Sequence, residues 1–431
     1  MITIYSQQTS PRLEYTIKYI FNHFFNTEYL LTTNENQFEN AKGVKINYSP
    51  KVYDNVINIY SDKLLFQTGT NEIKPKYFSN NGKHYLFLSP NQNYSLPYDI
   101  FSAVFYMISR YEEYGKGFDF RYIHSIAYKH NFLRQPVVNI WLDELHILIN
   151  KMFPQEQNIK MPKYQYISTI DIDNAYAYKY KGIIRYALST TRSIILNDME
   201  DIKTRLATTT NKRKDPYDTY DYIKQIHKQV NITPKIFILL SNYGKLDKNL
   251  HYKNKKYRKL IKELDQFAEV GIHPGYASNF NKNKLKEEIK RLEDILNRKI
   301  TISRQHFLVL SFPYTYQTLL ENGIQEDYSM GYSRSLGFRA GTTVPFFFYD
   351  LEKEKETTLK IYPFAVMDIT LNKYMGHTPC TAIEETSKFI KYAKKYGGYF
   401  ISAWHNESLS EYKHWNQWKK VFEYILKYGS K

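Results

Sequence analysis

From Tyr164 onward, short apolar runs of strand length alternate with amphipathic stretches of helical period, and this alternation most narrows the folds open to the chain. "YQYISTIDI" reads as a strand. "YDYIKQIHKQV" carries Tyr222, Ile223, Ile226 and Val230 at helical spacing. "TPKIFILL" is apolar throughout, as expected of a strand buried on both faces. "KLIKELDQFAEVG" is helical and leads into "IHPGYAS". "NKLKEEIKRLEDILN" places Leu285, Ile289, Leu292 and Leu296 on one stripe. "KITISRQHF" reads as a strand, "YTYQTLLENG" as a helix closed by Gly323, and "TSKFIKYAKKYGG" as a helix before the strand "YFISAWHNES". Such a series predicts an α/β fold with a parallel sheet, open or closed into a barrel, whose chemistry collects at the carboxyl ends of the strands.

The preceding part reads differently. It mixes short strand-like runs, "VINIYSDKLLF" and "KHYLFLS", with two helices. "YDIFSAVFYMISRYEEYG" repeats Phe101, Val104, Phe105, Ile108 and Tyr111, and "VNIWLDELHILINKMF" repeats Ile140, Leu142, Leu145 and Leu148. The polar stretch "PQEQNIKMPK", with two prolines, marks a domain boundary near residues 154–163. The expected division is an accessory α/β domain over 1–155 and a second domain over 161–431. There is no internal repeat and no low-complexity tract.

At 431 residues with 42% hydrophobic content, the chain can bury two sizeable cores. No apolar run approaches the ~20 residues of a membrane span. The start, "MITIYSQQTSPRLEY", lacks the pattern of a signal peptide. The single Cys380 excludes an internal disulfide and a cysteine-built metal site, so a cytoplasmic protein is the simplest expectation. The formal charge of +17 leaves a polyanion partner open. However, the runs "NKRK" (Asn211–Lys214) and "KNKKYRK" (Lys253–Lys259) read as solvated faces, and no nucleic-acid-binding pattern accompanies them. No nucleic-acid partner is expected.

The polar residues at strand ends are more telling. Alternation along Ile167, Thr169, Asp171 and Asp173 puts two carboxylates on one strand face, about 7 Å apart. Like charges at the end of an apolar strand repel and cost desolvation, so a metal, an arginine or solvent must offset them. His273, Arg304, His306 and the run His405–Asn406–Glu407 occupy other strand ends, and all can converge on one rim. Carboxylates and neutral imidazoles suit a divalent ion such as zinc. An arginine beside a carboxylate keeps it ionised and oriented.

At these residues the chain resembles the polysaccharide deacetylases, the NodB-like superfamily of carbohydrate esterase family four, over roughly Met161 to the C-terminus. The resemblance implies a distorted (β/α) barrel. In "TIDID" it implies that Asp171 is the catalytic base and Asp173 a metal ligand. "EVGIHPGYAS" resembles the second motif, making His273 a ligand. "SRQHF" resembles the third, whose arginine, Arg304, steadies the base. "ISAWHNES" resembles the last, making His405 the general acid. Two positions depart from the pattern. Ala277 stands where a second metal-binding histidine is usual, and His306 stands where proline is usual. His306 is expected to supply the missing imidazole, with water or Ser278 as alternatives. The whole chain resembles a variant branch with an added N-terminal domain and its "SRYEEY" helix (Ser109–Tyr114).

Substrate contacts are assigned to Arg339 in "GFRAGTTVPFFFYD", to Trp404 and to Asn406. The competing readings are an arginine bonded to loop carbonyls and a tryptophan packed in the core with Trp415 and Trp418. Asp327 and Asp368 are candidates to orient His405. The resemblance thus implies a hydrolase that removes an acetyl group from an N- or O-acetylated sugar. One divalent ion would serve it: zinc, or else cobalt, manganese or nickel. The alternative is a degenerate domain that binds a glycan or a protein partner without turnover.

Overall fold

The structure, a computed structural model, describes residues 1–117, 121–156 and 159–431. Near the N-terminus, β1 (Ile2–Tyr5), β2 (Tyr29–Thr32), β3 (Val44–Asn47) and β4 (Ile57–Asn58) form a parallel sheet in the order β2-β1-β3-β4. An antiparallel pair, β5 (Tyr77–Asn80) and β6 (Lys83–Leu86), follows. Among the described residues, α1 (Pro11–Lys18), α2 (Glu35–Glu39), α3 (Ile100–Ile108), α4 (Ile126–Lys129) and α5 (Val137–Met152) accompany them. The proposed boundary stretch lies partly outside the described residues, at 157 and 158.

The "SRYEEY" segment is not the helix expected from its sequence. α3 stops at Ile108, Arg110 takes a left-handed conformation (φ 55°), and Tyr111–Glu113 make one 3₁₀ turn. The break lets the buried Arg110 guanidinium reach back to Glu113 (2.8 Å) and Glu112 (2.9 Å), which a continuous helix would splay apart.

The larger sheet contains β7 (Tyr164–Ile172), β8 (Lys235–Leu239), β9 (Glu269–His273), β10 (Ile302–Ser303), β11 (Glu326–Asp327), β12 (Phe346–Asp350), β13 (Lys355–Ile361), β14 (Val366–Met367) and β15 (Gly398–His405). Its order is β12-β13-β11-β10-β9-β8-β7-β15-β14, and every pair is parallel except β12 with β13. β14 and β12 are its edges, and the sheet is the distorted, incompletely closed barrel expected from the resemblance. The helices with it are α6 (Ile183–Ile195), α7 (Met199–Thr209), α8 (Tyr220–Gln229), α9 (Lys255–Leu264), α10 (Lys282–Leu296), α11 (Tyr314–Glu321), α12 (Pro379–Tyr396) and α13 (Trp418–Gly429). The strand expected over "KITISRQHF" is only Ile302–Ser303. His306–Leu308 form a 3₁₀ turn, with Phe307 and Leu308 at φ 60° and 55°.

Alternation sorts the central strands into two faces. Ile170, Ile172, Ile236, Ile238, Phe400 and Trp404 join the large core that the helices cover. Phe237, Ile401 and Ala403 join a smaller cluster with Tyr328 and Phe364 on the opposite face. Asp171 is in register with both Phe237 and His405, so it shares that second face. Among the described residues, no helix is long and apolar enough to cross a membrane.

Candidate active site

The site is built at the carboxyl end of β7. Asp171 is 2% exposed, and its Oδ1 accepts from Arg304 Nη1 at 3.1 Å. Arg304 is held through Nε and Nη1. Nη1 also donates to Thr169 Oγ1 (2.7 Å), Nε donates to the Tyr328 carbonyl (3.0 Å), and the guanidinium lies between the Phe237 and Phe364 rings. Those rings exclude water from the ion pair, which holds Asp171 in one orientation.

Asp173, one residue past β7, faces three imidazoles. Its Oδ1 is 3.2 Å from His273 Nε2, and its Oδ2 is 3.3 Å from His306 Nε2 and 3.7 Å from His405 Nε2. The other ring nitrogens are all occupied by acceptors. His273 Nδ1 donates to the Arg304 carbonyl (2.5 Å), His306 Nδ1 to Asp247 Oδ1 (2.8 Å) and His405 Nδ1 to Asp368 Oδ1 (2.8 Å). An acceptor at Nδ1 holds the proton there, so in the neutral rings each Nε2 offers its lone pair to the common space. The ligand atoms of Asp173, His273 and His306 all lie within 4.8 Å of one another. Asp173 Oδ1 is buried with no hydrogen-bond donor. This donor set, with an orphaned carboxylate oxygen at its centre, fits a divalent ion bound by two imidazoles and one carboxylate.

The electrostatics of the site point the same way. Burial opposes charge on Asp173, yet His306 and His273 hold its carboxyl well below the usual range. Burial also opposes charge on His306, but Asp173 and Asp247 push it up to about 9. The site thus calls for positive charge, as a proton or as a metal ion. His405 is likewise buried, and Asp368, Asp173 and Asp171 hold it well above the ordinary imidazole value. Asp368 Oδ2 also accepts the His405 backbone N–H (2.7 Å), so one carboxylate fixes both the backbone and the ring.

Six of the residues expected at the site, Asp171, Asp173, His273, Arg304, His306 and His405, converge there. The three expected to meet substrate do not. Arg339 is buried and forms a two-pronged ion pair with Glu113, with a further bond to the Gly331 carbonyl (3.2 Å). That pairing occupies its guanidinium, although the side chain also borders a cavity of about 300 Å³ with Phe307 and Tyr332. Trp404 is fully buried and packs on Phe422 and Trp418 of α13. Since His405 points into the site, its neighbour on the strand must point away. Asn406 is buried as well. Its amide donates to the Asn174 and Tyr217 carbonyls (3.0 Å each), which ties two loops together.

Ala277 lies in the 3₁₀ turn Tyr276–Phe280 and lines a cavity of about 320 Å³ with Asp247 and Glu288. Ser278 lies buried in the same turn. Asp327 accepts from Ser303 and Ser329, while Asp368 is the partner of His405. Asp247, the partner of His306, carries no signal in the sequence: "KLDKN" reads as an ordinary polar loop.

The chain is similar in fold to polysaccharide deacetylases. One such structure, a protein from Mycobacterium smegmatis assigned to the polysaccharide deacetylases, shares 14% identity. It covers 62% of this chain and 84% of its own, with a TM-score of 0.42. The polysaccharide deacetylase Bc1974 from Bacillus cereus shares 11%, covering 61% and 85%, with a TM-score of 0.28. A CE4 family pseudoenzyme from Bacillus anthracis shares 11%, covering 61% of each chain, with a TM-score of 0.29. Residues 2–154 match a family model described only as a family of unknown function, DUF7033. No curated protein matches the sequence.

Proposed function

We propose that the protein is a metal-dependent hydrolase that removes an acetyl group from an N- or O-acetylated sugar. The observation that carries this reading is the convergence of Asp173, His273 and His306 beside the Asp171–Arg304 pair and His405. Asp173, His273 and His306 would hold one divalent ion, of which zinc best suits the donors. Such an ion would polarise the acetyl carbonyl and acidify a bound water.

The remaining steps belong to the chain. Asp171, held in place by Arg304, accepts a proton from the attacking water. His405 protonates the departing amine or alkoxide, and Asp368 steadies its imidazolium form. The single cysteine, Cys380, supports a cytoplasmic setting.

The test is acetate release from a panel of acetylated mono- and oligosaccharides by protein stripped of metal and then reconstituted with zinc, cobalt, manganese or nickel. Release that requires metal and disappears in Asp171→Asn supports the reading. Ala277, at the position of the usual second histidine, favours one competing reading, a domain that binds acetylated sugar without turnover. Bound metal together with glycan binding and no acetate release across the panel would decide for that reading.

A further inference from the structure

α6 is amphipathic, but it is mounted the wrong way round for a helix that packs on a core. Ile183, Ile184, Leu188, Ile194 and Ile195 fall within an arc of ~140° at 100° per residue. All five face solvent, with Ile183 88% and Ile195 77% exposed. Leu206 on α7 is also exposed.

The opposite side of α6 carries its polar groups inward, where they are tied down. Arg185 donates to the Lys248 and Asn249 carbonyls (2.9 and 3.2 Å) and stacks on Tyr243. Ser193 donates to Asp201 (2.7 Å), which also accepts from Arg205 (2.7 Å). Rolling the helix to bury its apolar stripe would break the bonds made by Arg185 and Ser193. The stripe is therefore held outward.

The charge around the stripe says what covers it. Residues 179–214 contain nine Lys and Arg against three Asp and Glu, a formal excess of six positive charges. Arg192, Lys203 and Lys212 are exposed and have no ion-pair partner among the described residues. A second copy is disfavoured, because each copy would bring the same positive rim to the contact and a net charge of +17. An apolar stripe with basic flanks instead matches an anionic bilayer surface, where apolar side chains enter the headgroup boundary and basic ones meet lipid charge. We infer that the α6–α7 hairpin docks the protein on an anionic membrane surface. This inference concerns location only and does not depend on the deacetylase reading.

The test is cosedimentation of the full chain with vesicles of phosphatidylcholine, alone or mixed equally with phosphatidylglycerol, at low and high salt. The parent is expected to pellet with the anionic vesicles and to be released by salt. The triple variant Ile184→Ser/Leu188→Ser/Ile195→Ser is expected to lower partitioning by about tenfold or more. Lys203→Glu/Lys212→Glu should lower it with the apolar stripe intact. Circular dichroism confirms that both variants fold. The inference is overturned if the parent stays in solution with anionic vesicles at low salt, or if the triple variant pellets like the parent. It is equally overturned if sedimentation velocity shows a dimer that the triple variant abolishes while neither protein binds vesicles.

Discussion

His306 and Asp247 act as a pair. Asp247 holds the Nδ1 proton, and Nε2 is thereby left to face Asp173. His306→Ala is expected to lower zinc content sharply, as is Asp173→Ala, measured by elemental analysis after dialysis against zinc. Asp247→Ala leaves the ring in place but frees its tautomer, and a loss of about 10–100-fold in zinc affinity is expected. Equal zinc content in parent and His306→Ala would remove His306 from the ligand set. Asp171 plays a different part, because Arg304 holds its Oδ1 and leaves Oδ2, without a hydrogen bond among the described residues, to take up a proton. Asp171→Asn should keep its metal and lose about 10²–10⁴-fold in acetate release on any accepted substrate.

At the scale of elements, β7 and α8 are joined through a buried histidine. His227 Nε2 bonds to Ser168 Oγ (2.9 Å) and Nδ1 to the Ile223 carbonyl (2.7 Å), so the ring links the helix to the strand that carries Asp171. Burial lowers His227 from its ordinary value to about 4, the helix carbonyl opposing. In the unfolded chain the same ring takes up a proton near pH 6.5. Its stabilising contribution is therefore fully present above pH 6.5 and is lost as pH falls toward 4. The parent should lose about 2 kcal/mol between pH 7 and pH 5 from this group. Urea unfolding at the two pH values measures the loss. His227→Gln should show a drop smaller by that amount, and an equal drop in both proteins would refute the assignment.

At the scale of the molecule, the two halves of the sequence share one buried core. Ile4, Phe105 and Trp141 belong to the same apolar cluster as Ile170, Phe346 and Trp404. Polar bonds cross it. Arg339 pairs with Glu113, Asn139 exchanges bonds with Thr343 (2.6 and 3.0 Å), and the Tyr15 hydroxyl donates to the Phe347 carbonyl (2.6 Å). Glu113 pairs with two buried guanidinium groups, those of Arg110 and Arg339, and Glu112 also meets the first. Glu113→Ala should therefore destabilise by about 3–5 kcal/mol in urea unfolding. Residues 161–431 expressed without the rest should fail to give a cooperative thermal transition. A soluble fragment with a sharp transition would instead establish residues 161–431 as an independent folding unit.

The sequence by itself determined the periodic parts. The alternation of strand and helix after Tyr164 specifies a parallel sheet, and the period of two along β7 places Asp171 on the face opposite Ile170 and Ile172. The same period, followed along β15, separates His405 from Trp404 and so already contains the correction to the tryptophan. Only the tertiary structure decided matters between distant segments. The pairing of His306 with Asp247 spans 59 positions, and that of Arg339 with Glu113 spans 226. No local pattern encodes such contacts, because a charged group shows its burial and its partner only when the chain has closed around it. The outward stripe of α6 is set in the same way, because Arg185 bonds to carbonyls 63 and 64 positions along the chain.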